Sequence, residues 1–341
     1  EVMIRLSTPG FKRFRQAMPG SLDVHFGGAE ASVAALIAHW GDDAAFVTAL
    51  PDQPLGHACV ANLRSVGVDV SHVRMRPDGR MGVYFVEHGV NQRSGQVIYD
   101  RADSSFAITP PDEYDWESIL SQAKWLVVSG ITPAISSLSA DVTSVALVQA
   151  KRRGIKIACD MNFRSKLWRW DPSLRPRDLA AKTMREFACQ VDLLICGRDD
   201  AIGTLGIAND IPDDSLPAEI SREYANLSHI AITKRQSHSS TSQRIAASLY
   251  DTATRKSFDA PRRHQFYEIT DVVDRIGAGD AFVAALVFAM EDPLLGDPSV
   301  AISFANAAAC LAHSIEGDIS YISRDEVESL MNRRGMGRID R

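Results

Sequence analysis

One stretch of this chain pairs an acid with bare backbone amides. Asp271-Val272-Val273-Asp274-Arg275-Ile276-Gly277-Ala278-Gly279-Asp280-Ala281-Phe282 runs from strand-like residues through two glycines into an apolar helix pattern, Ala281 to Met290. Gly277 and Gly279 let the backbone turn sharply and bring N–H groups close to a ligand. The helix that follows adds the positive end of its dipole, which suits phosphate. Asp280 sits at that same end, so it is either a helix cap or a base aimed at a hydroxyl beside an anion hole. A hydroxyl next to a phosphate site is the geometry of phosphoryl transfer. A P-loop is excluded because the chain has no Gly-Lys dipeptide. A dinucleotide fingerprint fails too, since no third glycine follows at the required spacing.

Further candidates lie at other turns. Gly27-Gly28-Ala29-Glu30-Ala31-Ser32 leads into a second helix and could cradle a carboxylate or sugar hydroxyls. As a purely structural feature it is a tight turn, with Glu30 complementing the helix dipole. Tyr84 lies in one strand of an expected hairpin, and Tyr99 and Arg101 share one face of the other by period-2 alternation. A guanidinium forks onto a carboxylate and a tyrosine bonds a hydroxyl, so this face suits a polyhydroxy acid. Spacing alone favours a solvated hairpin face over a binding one.

The elements that must position these groups follow from the apolar pattern. Buried strands at Trp125–Ser129, Lys156–Asp160, Asp192–Cys196 and Ile230–Thr233 alternate with helices at Ala140–Arg153, Pro176–Ala188 and Ser221–Asn226. That alternation implies a parallel sheet covered on both faces. Active sites in such sheets lie at the strand C-terminal ends, which gathers Gly130, Asp160–Arg164, Gly197–Asp200 and Lys234–Arg235 with Gly277–Asp280. Nearer the start, a strand at Val2–Leu6, helices at Ala29–Trp40 and Pro54–Val66, and strands at Met81–Glu87 and Gln96–Arg101 are expected. Ser237–Ser242 reads as a flexible loop.

Bulk properties exclude several classes. The chain has 341 residues, 45% of them hydrophobic, and a net charge of −6. An acidic chain is a poor nucleic-acid partner, so an anionic substrate must be held by local arginines. The five cysteines, Cys59, Cys159, Cys189, Cys196 and Cys310, form no CxxC and read as reduced. No apolar run is long enough to span a membrane and no signal peptide is visible, so a cytoplasmic location is expected. The chain opens at Glu1-Val2-Met3-Ile4, seemingly inside a strand, and native residues are expected before it.

The string around Asp274 and Gly-Ala-Gly-Asp-Ala-Phe resembles the C-terminal signature of the ribokinase-like (PfkB) carbohydrate kinases. Gly27–Ser32 resembles that family's N-terminal Gly-Gly-Ala-Glu-x-Asn, with Ser32 in place of Asn. Gly82-Val83-Tyr84-Phe85 and Tyr99-Asp100-Arg101-Ala102-Asp103-Ser104 look like the lid of the 2-keto-3-deoxygluconate kinases. Asp160-Met161-Asn162-Phe163-Arg164-Ser165-Lys166-Leu167-Trp168 resembles the Asp-x-Asn-x-Arg-x-x-Leu-Trp segment of the same subgroup. The resemblance runs nearly end to end and takes in the tail Glu316-Gly317-Asp318.

The resemblance implies a three-layer α/β/α sandwich with a mostly parallel sheet and a small β lid. Residues 1–10, 27–70 and 106–341 would form the core, and 11–26 and 71–105 the lid. It implies ATP and Mg²⁺ as cofactors and a sugar acid as acceptor. Asp280 would be the base, Gly277, Ala278 and Gly279 the anion hole, and Arg164 the neutralising cation. Gly28, Ala29, Glu30, Ser32, Tyr84, Tyr99 and Arg101 would hold the sugar. Asn162, Arg164, Gly197, Lys234, Gly277, Gly279 and Asn306 would hold the nucleotide, with Asp200 on the metal and Lys166 solvated. Gln-Ser-His-Ser-Ser replaces the Gly-rich nucleotide loop that many members carry after Lys234-Arg235. The lid implies a homodimer or an assembly of dimers. Two other readings remain: a kinase of the same fold for a neutral sugar or nucleoside, in which Arg101 has no partner, and a catalytically weak sugar-binding or regulatory protein.

Overall fold

A computed structural model describes residues 1–262 and 265–332. The main sheet runs in the order β12 (Lys256–Ala260), β11 (Gln243–Asp251), β10 (His229–Ser237), β9 (Leu193–Cys196), β8 (Lys156–Asp160), β7 (Trp125–Ser129), with β13 (Tyr267–Ile269) also on β11. Strands β7 to β10 are parallel, while β11 is antiparallel to β10, β12 and β13. Period-2 alternation divides each central strand between two helical layers. Ile157, Cys159, Leu194, Cys196, Ile230 and Ile232 join one core; Ala158, Leu193, Ile195 and Ala231 join the other.

The helices in chain order are α1 (Phe14–Ala17), α2 (Ala29–His39), α3 (Pro54–Ser65), α4 (Trp116–Ile119), α5 (Ser137–Arg152), α6 (Pro176–Ala188), α7 (Arg198–Asp200), α8 (Leu216–Glu223), α9 (Ala278–Glu291), α10 (Pro298–Ala312) and α11 (Arg324–Met331). Residues of α5, α6 and α8 line the first core, and residues of α2, α9, α10 and α11 the second. The result is a three-layer α/β/α sandwich. Helix α9 is buried from Ala281 to Ala289. A helix apolar all round belongs inside the molecule, so the group at its head is held by a rigid element. No helix among the described residues is long and apolar enough to cross a membrane.

A separate four-stranded sheet forms the lid, ordered β2 (Asp23–Gly27), β1 (Met3–Ser7), β5 (Val83–Glu87), β6 (Gln96–Asp100). The division into core and lid needs two corrections. Residues 1–10, assigned to the core, supply β1, which lies between β2 and β5 in the lid sheet. Residues 73–76, assigned to the lid, form β4 (Val73–Arg76) and pair in parallel with β3 (Thr48–Pro51). The helix α3 between β3 and β4 supplies the long crossover that parallel pairing requires. The strands β2 to β4 and β11 to β13 and the helices α1 and α11 were not anticipated. Ser237 ends β10 and is paired with Gln243, so the Ser-rich run is a hairpin turn and not a free loop.

Candidate active site

The head of α9 has the form expected of an anion hole. Gly277 is its N-cap and adopts φ +87°, a left-handed conformation. A Cβ there would also lie 2.5 Å from the Asp318 carbonyl oxygen, so glycine is required twice over. Gly279 faces open space. The N–H groups of Ala278, Gly279 and Asp280 lie in the first turn, where no intrahelical acceptor exists.

Behind this turn lies a buried charge network. Arg5, on lid strand β1, is 0% exposed. Its guanidinium donates to Asp274 Oδ2 at 2.5 Å, Asp318 Oδ1 at 3.1 Å and Ser7 Oγ at 2.8 Å. Asp274 also accepts from the Ile276 and Gly317 amides, at 3.0 Å and 3.2 Å, which holds the turn before Gly277. The Tyr84 hydroxyl donates to Asp318 Oδ2 at 2.5 Å. Burial works against the Arg5 charge, but Asp274 and Asp318 outweigh it and its pKa is raised. Gly27 is needed here because a Cβ would overlap the Asp318 carboxylate. Lid strands β1 and β5 are thus tied to the turn at the head of α9. Arg5 was missed in the sequence, where the available signal was a lone charge inside the apolar strand Met3-Ile4-Arg5-Leu6.

Asp280 is only half-buried, yet burial pushes its pKa well above the carboxylate range, helped by Asp160, Asp318 and Glu30 and opposed by Arg164. Asp160 is pushed up to about 7, first by burial and then by Asp200. These groups share a narrow pocket lined by Ala29, Glu30, Ser129, Asp160 and Asp280. Glu30 does more there than complement a helix dipole. Its Oε1 accepts from the Ser129 amide at 3.0 Å, Ser129 Oγ at 2.7 Å and Thr132 Oγ1 at 2.7 Å. Ser129 and Thr132 were not anticipated, because only the fold brings them to α2.

At the ends of β8 and β9, Asp200 accepts from the Gly197 amide at 3.2 Å and the Phe163 amide at 3.3 Å. It ties the two strand ends together, and its raised pKa comes first from burial, offset by those amides. Arg164 is exposed on the rim, and Asn162 bonds Asp160 from a left-handed backbone of φ +34°. Lys166, expected to be solvated, donates to the Val97 carbonyl at 2.7 Å and so clasps core to lid.

Several expected ligand groups are engaged elsewhere. Tyr84 is 4% exposed and its hydroxyl belongs to Asp318, so it does not reach a ligand directly. Tyr99 does face the same side as Arg101, whose guanidinium lies 5.7 Å from its ring centre. However, Arg101 Nε and Nη2 both bond Glu1 Oε2 in a buried pair, leaving Nη1 for any other acceptor. Gly28 packs directly against the Glu1 carbonyl. Asn306 is 2% exposed and donates to the Ala260 carbonyl at 3.1 Å, which closes it off from a nucleotide. Ser32 Oγ is buried and has no hydrogen-bond partner among the described residues. Lys234 stays on the β10 rim, half-buried.

The pfkB family carbohydrate kinase model matches residues 15–324. The 2-dehydro-3-deoxygalactonokinase of Haloferax volcanii is 33% identical, covering 100% of this chain and 97% of its own. The 2-dehydro-3-deoxygluconokinase of Thermoproteus tenax is 28% identical over 97% of this chain and 92% of its own. Among solved structures, the 2-dehydro-3-deoxygluconokinase of Thermotoga maritima superposes with a TM-score of 0.88 at 37% identity, covering 97% of both chains. With a ribokinase-like sandwich, a Gly-Ala-Gly-Asp turn at the head of a buried helix and a β lid, this chain belongs to the pfkB family of carbohydrate kinases.

Proposed function

We propose that this sugar kinase transfers the γ-phosphoryl group of ATP to a hydroxyl of 2-keto-3-deoxygluconate. The observation that carries the reading is Asp280, a carboxylate of raised pKa beside unpaired helix N–H groups. In this reading the acceptor hydroxyl oxygen forms a bond to the γ-phosphorus. The bond from that phosphorus to the β–γ bridging oxygen breaks, and the hydroxyl proton passes to Asp280. Charge on the transferring group falls on the amides of Gly277 to Asp280 and on Arg164, since positioning and electrostatics carry phosphoryl transfer. In this reading Ser32 Oγ would serve a substrate hydroxyl and Arg101 Nη1 the sugar carboxylate.

Mg²⁺ fits as an ion brought in by the nucleotide. Among the described residues no three or more metal-binding side chains converge, but Asp160 and Asp200, both of raised pKa, face the same rim. Mg²⁺ needs few protein ligands and keeps its waters, so Asp200 would hold it directly or through water. When bound, it would neutralise charge on the phosphate oxygens.

The name of one relative, the 2-dehydro-3-deoxygalactonokinase of Haloferax volcanii, supports a second acceptor, 2-keto-3-deoxygalactonate, which differs from the first in the configuration of one hydroxyl. A lid-mediated homodimer is supported by exposed apolar residues on and beside the lid: Phe11, Met18, Val24 and Ile98. The cysteines of the chain are all free, consistent with the cytoplasm as its location. The test is ADP release from ATP and Mg²⁺ over both keto-deoxy acids, ribose, fructose and adenosine. Turnover with a keto-deoxy acid at least tenfold above the neutral acceptors is expected; a preference for a neutral acceptor would overturn the reading.

A further inference from the structure

We propose that Arg235 and Arg275 form a clamp for the polyphosphate chain of the nucleotide, assembled from the end of β10 and the turn that leads into α9. Arg275 lies two residues before Gly277. Its guanidinium donates to Ser237 Oγ at 3.0 Å and Gln243 Oε1 at 3.2 Å, two neutral acceptors at the end of the β10–β11 hairpin. Arg235 and Ser237 are two apart on β10, so their side chains project from one face. Arg235 therefore stands on the side where Arg275 is anchored.

The charges around these residues are unusual for this chain. It carries 43 acidic residues against 37 basic ones. Many of its arginines, among them Arg74, Arg76, Arg80, Arg101, Arg198 and Arg244, pair with a carboxylate. Arg164, Arg235 and Arg275 form no ion pair among the described residues. Although the Arg235 side chain is exposed at the strand end, partial desolvation of its guanidinium and then Arg275 and Arg164 lower its pKa, and burial lowers that of half-buried Arg275. Arg164 has Asp160, Asp200 and Asp280 near it, but Arg235 and Arg275 have no such carboxylate among the described residues, and a polyphosphate would supply their counter-charge. The amides of Ala278 and Gly279, in the adjoining first turn of α9, would donate to its terminal phosphate. A planar guanidinium forks onto phosphate oxygens better than an ammonium does, so the pair would do what a glycine-rich loop does with backbone amides.

The inference rests on ATP as donor but not on which sugar accepts, so its test uses nucleotide alone. Calorimetric titration of the full chain with ATP and with adenosine compares the parent with Arg235→Gln and Arg275→Gln. Each variant should lose about ten- to a hundredfold in ATP affinity, the usual range for a charge-assisted pair, with adenosine affinity unchanged. KM for the sugar should stay within about twofold. ATP affinity within twofold of the parent in both variants would overturn the clamp. So would a parallel loss of adenosine, which would mean that the arginines merely hold the hairpin. Arg235 is exposed on a strand end, so its variant keeps the test decisive if Arg275→Gln fails to fold.

Discussion

Replacing Arg5 by Met should separate the lid from the anion hole. Arg5 is fully buried, and its removal leaves Asp274 and Asp318 without their shared cation. Breaking a buried pair by removing one partner costs about 3–5 kcal/mol. With unfolding entropy of roughly 2.1 cal/mol/K per residue, a chain of this length has an entropy near ~0.7 kcal/mol/K, so the loss corresponds to a fall in Tm of about 4–7 °C. The pH dependence has a definite sign. Burial already raises the Asp318 pKa against the pull of Arg5. Without Arg5 it rises further, and a carboxyl that binds its proton more tightly in the folded state gains stability as pH falls. The deficit of Arg5→Met should therefore be smaller at pH 5.5 than at pH 8. Circular dichroism melts of parent and variant at both values read this out. A Tm change below 1 °C at pH 8, or a deficit that grows on acidification, would refute the network as a stabilising link.

Three further outcomes are expected. Arg101→Ala should raise KM for the keto-deoxy acid about ten- to a hundredfold, by loss of a charge-assisted contact, with KM for ATP little changed; steady-state kinetics varying each substrate decides it. The pH profile of kcat/KM should lose activity on the acid side as Asp280 protonates, with the limb displaced above the ordinary carboxylate range because its pKa is raised; a limb near ~4 would contradict that. Light scattering at micromolar concentration should give a dimer or larger, and Ile98→Asp on the exposed face of β6 should reduce it to a monomer.

The parts of the fold that were legible had short-range signals. The parallel strands β7 to β10 announced themselves as apolar runs between helices, and the turn into α9 by its glycines and acid. What was illegible depended on distant contacts. Arg5 meets Asp274 and Asp318 across 269 and 313 positions of sequence, and no local pattern encodes that. Arg101 looked free in its hairpin because its partner, Glu1, lies 100 positions away. Val2–Leu6 read as a strand, but a local pattern carries no information on which neighbour it pairs with, so β1 was assigned to the core; residues 73–76 were not read as a strand at all and fell into the lid. Glu30 was recognised as a candidate, whereas its three donors from Ser129 and Thr132 emerge only when α2 packs beside β7.

The most direct test is ADP release with ATP, Mg²⁺ and 2-keto-3-deoxygluconate by the parent and by Asp280→Asn. The parent should turn over this acid in preference to ribose, fructose and adenosine. Asp280→Asn should keep the fold and KM while kcat falls by about 10²–10⁴, the usual contribution of a general base. A variant within tenfold of the parent in kcat, or a parent inactive on keto-deoxy acids, would contradict the account.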